Sequence, residues 1–437
     1  MKLKKLLLLL LCGVFSVFAQ AQPAESPSAK AQRMQWFKDA KLGIFIHWGI
    51  YAVSGIDESW SFFNGYISHE DYMKQLPGFT AQKYDPQAWA ALIKESGARY
   101  AVLTSKHHDG VALWDTKQND LSIVKKTPAA RDVIAPLLAA LRAQDVKAGL
   151  YFSLLDWSHP DYPNFTGKTK RYEQDSTRWS RFVQFNFGQL EELSSRYHPD
   201  LFWFDGDWEQ SAEQWRAAEI RAKLLQANPQ VILNSRLQGY GDYATPEQGL
   251  PITRPKSEWW ELCMTMNDSW GYQGNDKNYK TPNQIIRLFV DCLGNGGNLL
   301  LDIGPKADGT IPEEQVAILR ELGRWTKKHS EAIYATHAGI PPNYFYGAST
   351  LSADSTVLYL FLPHRPHGPI EIKGLKNAIN RIRVVGNGTK LSWQILMKQY
   401  WSATPGIVYI DVPEHTLDSQ VTVIAIQLKG KLDLWQE

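Results

Sequence analysis

Leu201-Phe202-Trp203-Phe204-Asp205-Gly206-Asp207-Trp208 is the stretch whose reading decides the fold of this chain. Four apolar or aromatic residues in a row leave no wet face. Leu201–Asp205 therefore reads as a strand buried on both sides, the pattern of a parallel sheet covered by helices. Gly206 lets the backbone turn where that strand ends. Asp205 then stands where a buried strand meets its loop, ringed by Trp203, Phe204 and Trp208. In a parallel α/β barrel the C-terminal strand ends form the active face, so a carboxylate there is placed to act as nucleophile or base. The competing reading is an aspartate that only closes a turn.

On either side of this stretch, apolar runs alternate with helical patterns, the mark of βαβ units. Strands are expected at Leu42–Trp48, Tyr100–Ser105, Lys147–Leu154, Leu201–Asp205, Val231–Ser235, Glu258–Leu262 and Asn298–Ile303. Helices are expected at Pro86–Ser96, Ala130–Gln144, Glu173–Tyr197, Glu213–Ala227, Pro282–Leu293 and Pro312–Tyr334. A closed barrel of this kind has eight strands, one more than these runs supply, so one member is irregular. The long segments Tyr51–Asp85 and Asp156–Tyr172 follow strands and belong on the active face. After Gly339 helical periodicity stops. Thr356–Leu362, Ile370–Ile372, Arg381–Val385, Ile407–Val412 and Val421–Leu428 are short β-rich runs separated by Pro, Gly and Asn, as in a small antiparallel sandwich. The expected architecture is α/β: a (β/α)8-like TIM barrel over residues 22–338, followed by a C-terminal antiparallel β-sandwich over 339–437.

The N-terminus carries Lys2, Lys4 and Lys5, the apolar run Leu6–Phe18 and the small residues of Ala19-Gln20-Ala21. This is the layout of a secretory signal over residues 1–21, and it predicts export, to the periplasm of a Gram-negative bacterium. A membrane span needs about 18 or more apolar residues, so no membrane association is expected after signal removal; Cys12 supports a lipoprotein only weakly. Gln22–Gln32 reads as a mobile lead-in. A net charge of +2 gives no reason to invoke nucleic acid or an anionic surface. Cys263 and Cys292 are too few for a disulfide scaffold, and whether they pair stays open. The 17 Trp, 19 Tyr and 17 Phe supply rings that stack on sugar faces, although such residues also fill large cores.

At the expected strand ends stand His47-Trp48-Gly49, Lys106-His107-His108-Asp109-Gly110, Tyr151 with Asp156, then Asp205, Asn234-Ser235-Arg236, and Glu258 with Glu261. One histidine after a strand is usually structural. Several histidines, an arginine and carboxylates at the same end of successive strands are harder to attribute to packing. Imidazoles suit zinc, but adjacent histidines on an extended strand point to opposite faces, which weakens His47, His107 and His108 as a joint ligand set, and no metal is expected. Glycoside hydrolysis needs two carboxyl groups across one bond, and Asp205 with a later glutamate meets that need. The histidines and arginine would then bond sugar hydroxyls.

Phe45-Ile46-His47-Trp48-Gly49-Ile50-Tyr51, Thr104–Gly110, Phe202-Trp203-Phe204-Asp205-Gly206, Trp260-Glu261-Leu262-Cys263, Ser269-Trp270-Gly271-Tyr272 and Asn295–Pro305 together resemble the α-L-fucosidases, glycoside hydrolase family 29. The resemblance runs in order from about Met34 to Tyr334. It implies an irregular barrel with a β-sandwich, and an exo-acting, retaining, double-displacement hydrolysis of terminal α-linked L-fucose from a fucosylated glycan, without cofactor. It also implies Asp205 as nucleophile and His47, His107, His108, Tyr151, Trp203 and Arg236 as sugar ligands. Glu58-Ser59-Trp60 departs from the family's adjacent Glu-Trp, and Glu58 and Trp60 are carried over on that basis. Two residues compete as acid/base. Glu247 lies in a loop-like segment after Arg236 that resembles one branch; Glu261 matches another branch, or is a strand carboxylate paired with Lys256 or Arg254. An apolar wall near Trp270 or Trp203 would favour the fucose methyl by roughly 1–3 kcal/mol. The alternatives are a hydrolase of a related sugar such as an α-L-galactoside, and a non-catalytic carbohydrate-binding protein on the same scaffold.

Overall fold

The computed structural model describes residues 25–436, so the expected signal, Met1–Ala21 with Cys12, lies outside the described residues. Seven parallel strands make one curved sheet: β1 (Leu42–Ile46), β2 (Tyr100–Lys106), β3 (Lys147–Ser153), β4 (Leu201–Asp205), β5 (Ile232–Leu233), β6 (Glu261–Thr265) and β7 (Asn298–Ile303). Their order is β5-β4-β3-β2-β1-β7-β6. The unbroken apolar run of β4 is explained by burial on both faces. Leu201 and Trp203 pack with Phe45 and Tyr151 on the concave side, whereas Phe202 and Phe204 pack towards the helices.

The long helices are α1 (Pro27–Ala40), α2 (Pro86–Glu95), α3 (Ile134–Ala143), α4 (Ser176–Tyr197), α5 (Ala217–Ala227), α6 (Pro282–Gly294) and α7 (Glu313–Lys328). Two expectations are corrected here. The lead-in Gln22–Gln32 holds the start of α1, because Ser26 caps it by accepting from the Ala29 amide and Pro27 sits in its first turn. The helix expected over Glu213–Ala227 is broken in two, since Arg216 adopts a left-handed φ of 54°.

The expected sixth strand is shifted. It begins at Glu261, and Glu258 is exposed ahead of it. Between β5 and β6, the segment 242–248 hydrogen-bonds to both. The Asp242 amide donates to Leu233 O at 2.7 Å, the Glu261 amide to Ala244 O at 2.9 Å and the Cys263 amide to Pro246 O at 3.1 Å. Pro246 has no N–H and Thr245 and Glu247 are polar, so the stretch has no strand signature in sequence. Its lower end is pinned electrostatically. The buried Asp242 carboxylate accepts from the Leu233 amide at 2.9 Å, from Arg221 at 2.9 Å and from both terminal nitrogens of Arg33 at 2.8 and 2.9 Å.

Beyond α7 the strands are antiparallel: β8 (His337–Ala338), β9 (Ser349–Leu351), β10 (Val357–Leu362), β11 (Ile370–Lys373), β12 (Ile379–Val384), β13 (Trp393–Leu396), β14 (Ile407–Ile410) and β15 (Thr422–Leu428). They form a five-stranded sheet, β8-β9-β10-β15-β12, and a three-stranded sheet, β11-β14-β13. Leu358, Leu360 and Ile426 of the first share a core with Ile372, Val408 and Ile410 of the second. Asp418 ties this part to α7 through Arg324 at 3.0 Å and Lys328 at 2.6 Å. Among the described residues no helix is long and apolar enough to cross a membrane, and Cys263 and Cys292 are both free and buried.

Removing one partner of a buried ion pair strands the other charge, at a cost of about 3–5 kcal/mol. Asp242→Ala is therefore expected to lower stability by that order, read as a fall in Tm and in the urea midpoint. An unchanged midpoint would show that Arg33 and Arg221 find water instead.

Candidate active site

A cavity of about 270 Å³ opens at the C-terminal ends of the strands, just below the roughly 300–1,000 Å³ of ordinary small-ligand pockets. Asp205, at the end of β4, lies on its wall with His47, His107, Tyr151, Arg236 and Glu247. Trp60, Trp203 and Trp270 supply aromatic surface, and Phe45 and Trp208 complete it.

Both oxygens of Asp205 are held. Arg236 Nη1 donates to Oδ1 at 2.8 Å, and the Tyr151 hydroxyl donates to Oδ2 at 3.0 Å. Nε2 of His108 stands 3.7 Å from the same Oδ2. The second terminal nitrogen of Arg236 donates to Glu247. One guanidinium therefore bridges two carboxylates, its plane resting over Trp203 with Cζ 4.5 Å from the ring centroid. Burial opposes the charge on Arg236, but Asp205 and Glu247 outweigh it and hold the guanidinium firmly protonated.

Each histidine is oriented by a partner on its Nδ1. His47 meets Asp302 Oδ1 at 2.7 Å, His107 meets Ser59 Oγ, and His108 meets Ser153 Oγ at 2.6 Å. Burial pushes all three imidazoles well below their usual range, His108 to about 3. The expectation that His107 and His108 point to opposite faces is wrong. β2 ends at Lys106, so both lie past the pleat, with ring centroids 4.3 Å apart. Among the described residues no group of three or more His, Cys, Asp or Glu is arranged to hold a metal ion.

Glu58 is buried, accepts the Gly271 amide and stands behind the cavity wall rather than on it. Burial, with Asp57 acting in the same direction, raises its carboxyl to about 8. Trp60 does reach the cavity, its ring 5.0 Å from Trp157 and 6.4 Å from a nearly parallel Trp208. Glu261 is also buried, but its expected pairing with Lys256 or Arg254 is not what holds it. Its oxygens accept from the Tyr100 hydroxyl at 2.5 Å and from Trp203 Nε1 at 2.9 Å. β6 turns this side chain into the concave core, away from both cations. Sequence reasoning left out Phe45, Ser59, Ser153 and Asp302. Ser59 and Asp302 act on the cavity side chains His107 and His47, and Ser153 acts on His108 behind the cavity wall, from other elements, a relation no local motif records.

A family model described as α-L-fucosidase matches residues 15–331. The chain belongs to the α-L-fucosidase family. An α-L-fucosidase of Branchiostoma floridae is 33% identical over 75% of this chain and 79% of its own length. The α-L-fucosidase isoenzyme 1 of Paenibacillus thiaminolyticus superposes with a TM-score of 0.84 at 34% identity, covering 92% of this chain and 100% of its own. A Bacteroides thetaiotaomicron α-L-fucosidase, a glutamate-to-glutamine mutant trapped as a covalent intermediate with 2-fluoro-fucosyl fluoride, superposes at 0.80 with 28% identity, covering 91% and 96%. This chain is accordingly a glycoside hydrolase.

Burial raises the Glu261 carboxyl to about 7 in the fold, against the opposing hydrogen bonds of Tyr100 and Trp203. A raised folded pKa means the native state keeps a proton that the unfolded chain releases. Stability contributed by that proton is therefore present at low pH and lost as pH rises from about 4.5 to 7, by about 3 kcal/mol at most. Glu261→Gln is expected to flatten the decline of Tm between pH 5 and 8. An equally steep decline would assign it to other buried carboxyls, Glu58 first.

Proposed function

We propose that the protein removes terminal α-linked L-fucose from glycans with retention, using Asp205 as nucleophile and Glu247 as acid/base. The observation that carries this reading is the single guanidinium of Arg236 bound to both carboxylates at the wall of a one-sugar cavity. Two carboxyl groups facing one sugar are what glycoside hydrolysis needs, and the relative trapped as a covalent intermediate supports retention. Glu247 first takes a proton, giving up its ion pair with Arg236; Asp205 then attacks the anomeric carbon as Glu247 gives that proton to the glycosidic oxygen and the aglycone leaves. Glu247, now a carboxylate, takes a proton from water, which attacks the same carbon and frees Asp205. The product is the α anomer.

Exposure favours Glu247 as the acid/base over Glu261. The Glu247 side chain is 39% exposed and lines the cavity, within reach of a glycosidic oxygen. Glu261 is 0% exposed with both oxygens committed to Tyr100 and Trp203. Trp270, whose ring lies 5.0 Å from His47 and 6.0 Å from Phe45, offers an apolar wall suited to the fucose methyl.

The same reading accounts for the irregular fold. The bonds from segment 242–248 to β5 and β6 support it as the eighth stave of a (β/α)8 barrel, and the core common to the two C-terminal sheets supports a β-sandwich. The basic, then apolar, Met1–Phe18 supports export to the periplasm.

Asp205→Gly is expected to stay folded and lose turnover, with azide restoring activity and yielding a fucosyl azide of inverted configuration. More than about a few per cent residual activity without azide would rule out Asp205 as nucleophile. Glu247→Ala is expected to hydrolyse a dinitrophenyl fucoside tolerably and a fucosyl disaccharide about 10²–10⁴-fold more slowly than wild type. If Glu261→Ala alone gives that leaving-group dependence, the acid is Glu261.

A further inference from the structure

Outside the catalytic pair, one carboxylate collects three side chains of a single insertion. Glu209 ends the turn Asp207–Glu209 that follows β4, directly after the cavity residue Trp208. Its Oε2 accepts from the Tyr162 hydroxyl at 2.5 Å and from Asn164 Nδ2 at 2.7 Å, and its Oε1 from Trp157 Nε1 at 3.4 Å. All three donors belong to the segment 156–172 that follows β3. The same three residues are gathered from behind by one cation. Arg171 Nη2 donates to Trp157 O at 2.7 Å, and Nη1 to Asn164 O at 2.8 Å and Tyr162 O at 3.3 Å. Main-chain oxygens go to Arg171 and side-chain donors to Glu209. The insertion is thus braced within itself and tied, as one body, to the turn behind the nucleophile's strand.

This tie reaches both rings at the mouth of the cavity. Trp60 and Trp208 line it with their planes 14° apart and their centroids separated by 6.4 Å. Trp208 is 50% exposed and is carried by the same turn as Glu209. Trp60 opens the helical turn Trp60–Phe63 and rests against Trp157, centroid to centroid 5.0 Å. Trp157 stacks on Phe63 at 3.8 Å, and the Gly167 amide of the insertion donates to Phe63 O at 2.8 Å. Glu209 is therefore bonded to the body that seats one ring and is the chain neighbour of the other.

We propose that Glu209 is a positioning residue for the glycan, setting the placement of Trp60 and Trp208 relative to each other at the cavity mouth. The inference rests on the reading of the cavity as a fucoside site. An aromatic ring helps to bind a sugar only where its face lies against the sugar's apolar face. Loosening the two rings weakens that contact. Asp205 keeps its own partners, Arg236 and Tyr151, and neither of them touches Glu209. The loss should accordingly fall on binding and spare the chemical step.

Steady-state kinetics with a nitrophenyl fucoside tests this. Glu209→Ala should raise KM about tenfold and leave kcat within about twofold, the pattern of lost binding that substrate and transition state share. Glu209→Gln, whose amide oxygen still accepts from Tyr162 and Asn164, should keep KM within about threefold of wild type. Tyr162→Phe should raise KM in the wild-type background but add less than about twofold on top of Glu209→Ala, because both changes cut one contact. Hydrogen exchange of the free protein gives a readout independent of turnover: Glu209→Ala should speed exchange of the amides in 157–172 and leave those of β4 unchanged. An unchanged KM in Glu209→Ala, even with a lower Tm, overturns the proposal. So does a Glu209→Gln variant as impaired as Glu209→Ala, or a fall in kcat that matches the rise in KM. Should Glu209→Ala not fold, Tyr162→Phe and Asn164→Ala decide from the insertion side, and an unchanged KM in both overturns it. Faster exchange of 157–172 in Glu209→Ala, with no fucoside turnover by the wild type, would sink the fucoside reading and leave the tie itself standing.

Discussion

The guanidinium of Arg236 is the constraint on which the site depends. Two carboxylates facing one small cavity repel, and repulsion in a poorly solvated place is either relieved by protonation or balanced by a cation. Arg236 balances it with a planar fork, one nitrogen for Asp205 and the other for Glu247, and the fork cannot follow the two independently. The ring of Trp203 beneath it and the Tyr151 hydroxyl on the other oxygen of Asp205 restrict the assembly further.

What lies behind the cavity matters as much as what lines it. Asp302, Ser59 and Ser153 each hold an Nδ1, so three rings stand in fixed orientations before any ligand arrives. Glu261 serves Trp203 in the same way, accepting its indole hydrogen from beneath. A wall whose dipoles are set in advance need not reorganise when charge develops at the anomeric carbon. The carboxyls that do this supporting work are buried and raised by burial, a cost in stability carried for the sake of geometry.

The fold serves this arrangement through its least regular part. β5 has only two residues, and the neighbouring segment carries a proline where a ladder amide would stand, so the sheet is weakly paired near Glu247. The clamp of Asp242 on Arg33 and Arg221 fixes the lower end of that segment, and the bonds of Pro246 and Gln248 to Cys263 hold its upper end where Glu247 reaches the cavity.

The sequence alone determined the parallel αβ alternation, because a run such as Leu201–Phe204 is stable only when both faces are covered, and that requirement is local. It also placed Asp205, His47 and Arg236 at strand ends, since strand termini and turn residues are marked in the chain itself. The tertiary structure decided the rest. Glu258-Trp259-Trp260 reads as strand by composition, yet the ladder with β7 begins at Glu261, because register is set by the neighbouring strand. His107 and His108 read as opposed until the end of β2 is known. Glu247 and Glu261 are equivalent as letters, and only packing shows one at the cavity wall and the other beneath Trp203. Contacts between residues more than two hundred positions apart, such as His47 with Asp302, leave no periodic trace in a single chain. They exist because a curved sheet brings its first and last strands side by side.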